Sequence, residues 1–150
     1  MQVDYTYLVP TGSSIRTVAD ADQPGVRIAL VGNGVSDLAL RRMLKRAELI
    51  RTDTEGADFE LVRSGKADVL AGSRPALLEY SDRLPGSLVL EDRFRAIFIA
   101  MAVPKGRTGR LAYIGDFVEE AKASGLVQRA IDRAGLRGAQ VAPPGNPKVE

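Results

Sequence analysis

Apolar residues gather in short runs that alternate with segments of helical spacing, and the alternation continues along most of the chain. Residues 26–31 and 67–71 are near-continuous apolar runs, the pattern of strands buried on both faces. Between them, residues 35–47 place Val35, Ala39, Leu40, Met43, Leu44 and Ala47 on one helical face. Residues 48–52 read as a short strand. A helix starts at Thr54 or Glu55 and runs to Arg63, with Phe59 and Val62 inward and Ser64-Gly65 closing it. Residues 74–84 form a further helix with Pro75 in its first turn. Upstream, residues 5–9 are a β-prone run ended by the turn cluster Pro10-Thr11-Gly12-Ser13-Ser14, and residues 14–21 allow a brief helical turn. Downstream, residues 88–90 and 94–103 read as strands, the second unusually apolar, and residues 104–109 as a loop. Two amphipathic helices follow at 110–123 and 125–134, the first with Ile114, Phe117, Val118 and Ala121 on one face. Residues 139–150, with the Pro- and Gly-rich stretch from Ala142, read as a disordered tail.

Strands alternating with helices predict an α/β fold whose sheet is joined by right-handed crossovers. The flanks are less usual. Residues 5–9 enter this unit and residues 94–103 leave it, and two more helices then follow with no sheet of their own to cover. Their apolar faces need a partner surface.

The strand at 26–31 runs into Gly32-Asn33-Gly34 and then into a helix opening at Val35. Such a turn offers free backbone N–H groups to an anion. The strand at 67–71 delivers Gly72, Ser73 and Arg74 to the same edge of a parallel sheet, where open α/β sheets bind ligands. Each residue also has a plainer reading. The Gly-Asn-Gly turn serves a tight strand-to-helix passage with Asn33 or Ser36 as cap, Ser73 suits an N-cap, and Arg74 suits an exposed first-turn position. Asp68 reads as a strand-end hydrogen-bond acceptor.

Composition narrows the chemistry. The 150 residues make one domain or two small lobes, enough to bury roughly 70% of the unfolded surface. There is no cysteine and no histidine, which removes thiolate metal sites, Cys nucleophiles and the commonest general base. No cofactor or metal is expected, and enzyme readings are disfavoured. Lys and Arg number 21 against 19 Asp and Glu, interleaved, for a net charge of +2. That balance is no nucleic-acid footprint. The basic run Arg41, Arg42, Lys45 and Arg46 reads as a solvated helix face, and Tyr5, Tyr7, Tyr80 and Tyr113 are too scattered for a stacking platform. No segment has the ~20 apolar residues of a membrane span, and no signal peptide opens the chain, so as written it is expected in the cytoplasm.

Four segments follow one another at familiar spacing: Tyr5-Thr6-Tyr7-Leu8-Val9-Pro10, the strand–turn–helix of residues 26–37, Arg63-Ser64-Gly65-Lys66-Ala67-Asp68, and Ala100-Met101-Ala102-Val103-Pro104-Lys105-Gly106. Together they resemble the second half of a type 2 periplasmic solute-binding protein, the extracellular family-3 kind serving amino-acid ABC transporters. The resemblance extends to about Gly138. It implies a mixed, mainly parallel sheet flanked by helices, forming one complete lobe at 8–101. Residues 1–7 and 102–138 would supply crossing strands and C-terminal helices of an incomplete second lobe, before the tail at 139–150. It also implies a ligand site at Asn33, Gly34, Val35, Ser73 and Arg74. Amino-acid binders place an aspartate where this chain has Ser73, a loss of a charge-assisted hydrogen bond of ~1.5–3 kcal/mol. An ordinary α-amino acid therefore fits poorly; with Arg74 beside Ser73, a small carboxylate or other anion, or an amino-acid-like solute, is the expected ligand. Periplasmic location and an ABC permease partner follow only if the chain is part of a longer secreted protein.

Other classes share this scaffold. A remnant or interaction protein would have lost the solute and would dimerise, exchanging the segments after Val103. A dehydratase-type enzyme needs a proton-transfer residue facing a closed cleft, and neither a histidine nor an obvious buried carboxylate is offered. A transcriptional effector domain needs a DNA-binding segment that the sequence lacks. The reading taken forward is a non-enzymatic solute-binding module.

Overall fold

Side chains alternate between two faces along three neighbouring strands, and this alternation builds residues 4–95, one of two units into which the computed structural model divides. The structure describes residues 1–145. Strands β1 (Gln2–Val9), β2 (Arg27–Val31), β3 (Glu48–Thr52), β4 (Val69–Ser73) and β5 (Leu88–Val89) are joined by helices α1 (Val35–Met43), α2 (Ala57–Arg63) and α3 (Arg74–Asp82). The strand order is β3-β2-β4-β1-β5. Strand β2 runs parallel to β3 and β4, while β1 runs antiparallel to β4 and β5, so the sheet is mixed. From β2 the chain passes through α1 to β3 on one side, then through α2 to β4 on the other. The strand order therefore reverses at β2.

Tyr7, Val9, Ile28, Leu30, Val69 and Ala71 point to one face and pack with Leu40 of α1, Leu90 and Phe94. Leu8, Ala29 and Leu70 point to the other and meet Phe59 and Val62 of α2 and Leu77 of α3. Each large side chain removed from water in this way contributes about 1.5–3 kcal/mol. Both faces are covered, which accounts for the unbroken apolar runs at β2 and β4.

Several element ends differ from the sequence reading. Helix α1 stops at Met43, not Ala47, because Leu44 turns extended and the Asp22 carboxylate accepts the backbone N–H groups of Lys45, Arg46 and Ala47 at 3.1, 2.8 and 3.1 Å. Met43 consequently lies exposed rather than on the buried face. Helix α2 begins at Ala57, since Gly56 holds φ 93°. Its end is the expected glycine cap: Gly65 has φ 71°, its N–H reaches Val62 O at 3.1 Å, and Lys66 N–H reaches Leu61 O at 2.8 Å. Residues 14–21 yield only a 3₁₀ turn at Ala19–Ala21. Asp68 does accept at a strand end, taking the Arg27 backbone N–H at 2.9 Å and its guanidinium at 3.0 and 2.8 Å. This ties the starts of β2 and β4 together.

The other unit comprises residues 1–3 and the chain from Ala96 onward. Its elements are β6 (Arg95–Phe98), α4 (Thr108–Ala123), α5 (Leu126–Arg133) and β7 (Ala139–Gln140). The apolar run at 94–103 is strand only to Phe98, and Ile99 and Met101 are exposed. Ala121 and Ile131 are the buried residues of the two helices, whereas Leu111, Tyr113 and Phe117 of α4 are exposed. Within the expected tail, Ala139 and Gln140 pair antiparallel with Val3 and Gln2. Farther on, Lys122 Nζ donates to Pro143 O at 2.8 Å and Gly145 N–H to Glu119 at 3.1 Å. These partners hold a stretch whose composition alone suggests disorder. Residues 146–150 lie outside the described residues.

Candidate functional site

The carboxyl ends of β2 and β4, where the strand order reverses, open onto a pocket of about 200 Å³. Val31 closes β2 there, and Gly34, Val35 and Ser36 bring the N-terminus of α1 to the wall. Residues 70–73 of β4 form the floor beside it, and Ala76, Leu77 and Tyr80 of α3 form a second wall. Tyr5, opposite Ser73 in the β1–β4 register, and Glu55 and Asp58 around the start of α2 complete the lining.

Gly34 is the N-cap of α1, in extended backbone at φ −81° and ψ −179°, and no side chain caps the helix. The first N–H groups of α1 thus have no side-chain cap, and the helix dipole adds positive potential at the same place. A Cβ at Gly34 would stand 3.3 Å from Val31 O, so the bare glycine permits the tight passage from β2 into α1. The preceding Asn33 holds φ 61°, a left-handed position suited to asparagine. Its N–H donates to Asp37 Oδ2 at 2.9 Å, and Arg51 Nε donates to Asp37 Oδ1 at 2.9 Å. Chiefly the Asn33 N–H, and then Arg51, hold the Asp37 carboxyl below its usual range although its burial opposes this. Asp37 is thus a brace under the turn.

The five expected site residues divide. Gly34, Val35 and Ser73 line the pocket; Asn33 and Arg74 do not. Asn33 shapes the turn through its backbone. Ser73 occupies the N-cap position of α3, its hydroxyl makes no capping hydrogen bond, and the residue lines the pocket. Arg74 has a different task from the one expected. Its Nη1 donates to Leu90 O at 2.7 Å, and its Nη2 to Glu91 O at 2.9 Å and Asp92 O at 3.2 Å. The guanidinium clamps the segment after β5 and turns its donors away from the cleft. Among the described residues, no lysine or arginine lines the pocket.

Among the lining residues that the sequence reading did not place at the site are Tyr5, Tyr80, Glu55 and Asp58. Tyr80 stacks on Phe59 with ring centroids 4.6 Å apart, and Tyr5 packs edge-on to Phe94 at 6.4 Å. Burial, then the charges of Asp58 and Glu55, raise the Tyr80 hydroxyl above its usual pKa; burial and Glu55 do the same to Tyr5. The Phe59–Tyr80 spacing crosses two helices, so no local period reveals it. Asp58 sits on the inward side of a helix read only through Phe59 and Val62.

No family model and no curated protein matches the chain. Solved structures do. The lysine complex of an ABC-transporter binding component from Wolinella succinogenes DSM 1740 is 22% identical, with a TM-score of 0.74 over 89% of this chain and 59% of that one. A cysteine-binding protein from Campylobacter jejuni matches at 18% identity and a TM-score of 0.68, over 97% of this chain and 58% of that one. The ancestral amino-acid-binding protein AncCDT-1, a precursor of cyclohexadienyl dehydratase, matches at 21% identity and 0.68, over 89% and 57%. At these identities the likeness is one of fold: the mixed α/β architecture of amino-acid-binding proteins from ABC transporters. This chain spans less than three fifths of the length of those three chains. Among its described residues no helix is long and apolar enough to cross a membrane.

Proposed function

We propose that the protein is a solute-binding module that holds a small carboxylate-bearing molecule without transforming it. The observation that carries this reading is the uncapped N-terminus of α1 opening into the pocket at the ends of β2 and β4. The amides of Gly34, Val35 and Ser36 would receive the carboxylate, and the Ser73 hydroxyl would add a further hydrogen bond. The resemblance to amino-acid-binding proteins supports a role in presenting the solute to an ABC permease outside the cytoplasmic membrane. Arg74 no longer supports a purely anionic solute, because its donors are taken by carbonyls.

Val35→Pro tests the carboxylate site with little change to the helix. Proline is well tolerated as the first helical residue, and the extended Gly34 backbone suits a residue before proline. The substitution removes one donor. By calorimetry, butyrate affinity should fall about tenfold, the effect of one hydrogen bond to a charged group. Unchanged affinity would move the carboxylate elsewhere.

A second reading has its own observation. Ile99, Met101, Leu111, Tyr113, Phe117, Leu126 and Leu136 are exposed in the unit from Ala96 onward, and Tyr113 is 74% exposed. If these side chains form one contiguous patch, it would suit an interaction face. An interaction protein that dimerises through it would sediment as a dimer at micromolar concentration; a monomer would dismiss this reading.

A further inference from the structure

Helix α4 carries its charge in two blocks. Arg107, at its N-cap, and Arg110 open it, and Asp116, Glu119 and Glu120 lie in its second half. Glu119 is held within the chain by Lys122. Among the described residues Arg110 and Glu120 enter no ion pair, and both are exposed. One side of the helix meets its own unit: Ala121 is buried, and Ile114 and Val118 are half-buried. The face next to it does not. An α-helix turns about 100° per residue, so Arg110, Tyr113, Phe117 and Glu120 fall within an arc of about 80°. Two aromatic rings stand at the centre of this stripe, Tyr113 at 74% and Phe117 at 45% exposed, and charges of opposite sign stand at its two ends.

The stripe is complementary to itself. Positions 110 and 120 share their midpoint, Gly115, with positions 113 and 117. One two-fold axis at that level therefore sets an antiparallel copy of α4 with Arg110 against Glu120 and Tyr113 against Phe117, each pair made twice. A surface of one charge, such as an anionic membrane, would be attracted by one half of the helix and repelled by the other. We propose that α4 is a homodimer interface in which the Arg110–Tyr113–Phe117–Glu120 stripes of two chains pack antiparallel, rings at the centre and ion pairs at the rims. This rests on the dimer reading given above and asks nothing of the solute pocket. The rings supply the burial, and the charges fix direction and register.

The test is sedimentation equilibrium of the chain and of two charge reversals, Arg110→Glu and Glu120→Arg. Both positions are exposed, and each reversal puts its new charge at the helix end whose dipole favours it, so the helix is kept. The parent chain should be a dimer at micromolar concentration. Each single variant sets like charges together at both ends of the seam and should weaken the dimer about tenfold or more. The double variant Arg110→Glu/Glu120→Arg restores both pairs and should dimerise within about threefold of the parent. An equimolar mixture of the two single variants should form a heterodimer, since each end of the seam then joins opposite charges again. A parent dimer that neither reversal weakens would overturn the α4 interface and leave dimerisation standing. A parent that stays monomeric would bring down the dimer reading, and this interface with it.

Discussion

Asp37 is buried to 1% exposure and carries two hydrogen bonds, from the Asn33 amide and from Arg51. It is the residue on which the site's turn depends. Replacing it by alanine leaves a left-handed Asn33 without its amide acceptor and Arg51 without its partner, a loss of about 1–3 kcal/mol. The charge also has a pH signature. The folded state holds this carboxyl below its ordinary pKa of about 3.9, so between the two values the unfolded chain binds the proton and the folded chain does not. Stability from this group is therefore complete above about pH 4 and is lost as the pH falls through the depressed value. Urea titrations should show Asp37→Asn less stable than the parent at pH 7, with the gap closing in acid. A gap that stays constant down to pH 2 would show that the charge is not what matters.

At the scale of elements, Arg74 links the start of α3 to the segment after β5. Arg74→Ala removes three hydrogen bonds to carbonyls, one of them the buried Leu90 O. It should cost about 1–2 kcal/mol of stability, read by thermal or chemical unfolding, with butyrate affinity unchanged. A large loss of affinity with unaltered stability would return Arg74 to the site. The elements themselves are largely legible in the sequence. The apolar runs of β2 and β4 end at Gly32 and Gly72, and Pro75 and Gly65 mark where helices start and stop. What escapes is set by contacts distant in sequence. Asp22 ends α1 from 23 to 25 residues away, and the pairing of Ala139 with Val3 needs the two ends of the chain together. The site divides in the same way. Gly34, Val35 and Ser73 follow from strand-to-helix turns, a local rule. Asp58 and Tyr80 meet only after α2 and α3 pack on one face of the sheet.

At the scale of the whole molecule, two compact units share one chain, and the larger unit contains all the residues that line the pocket. The binding reading therefore makes a demand on residues 4–95 alone: a carboxylate should perturb the start of α1 whatever the rest of the chain does. The tightest test follows the backbone amides by ¹⁵N–¹H spectroscopy while butyrate is added. The account predicts saturable shifts centred on Gly34, Val35 and Ser36, with Ser73 affected, and their loss in Val35→Pro. Shifts scattered over the basic surface of Arg41, Arg42, Lys45 and Arg46, with none at the start of α1, would contradict it.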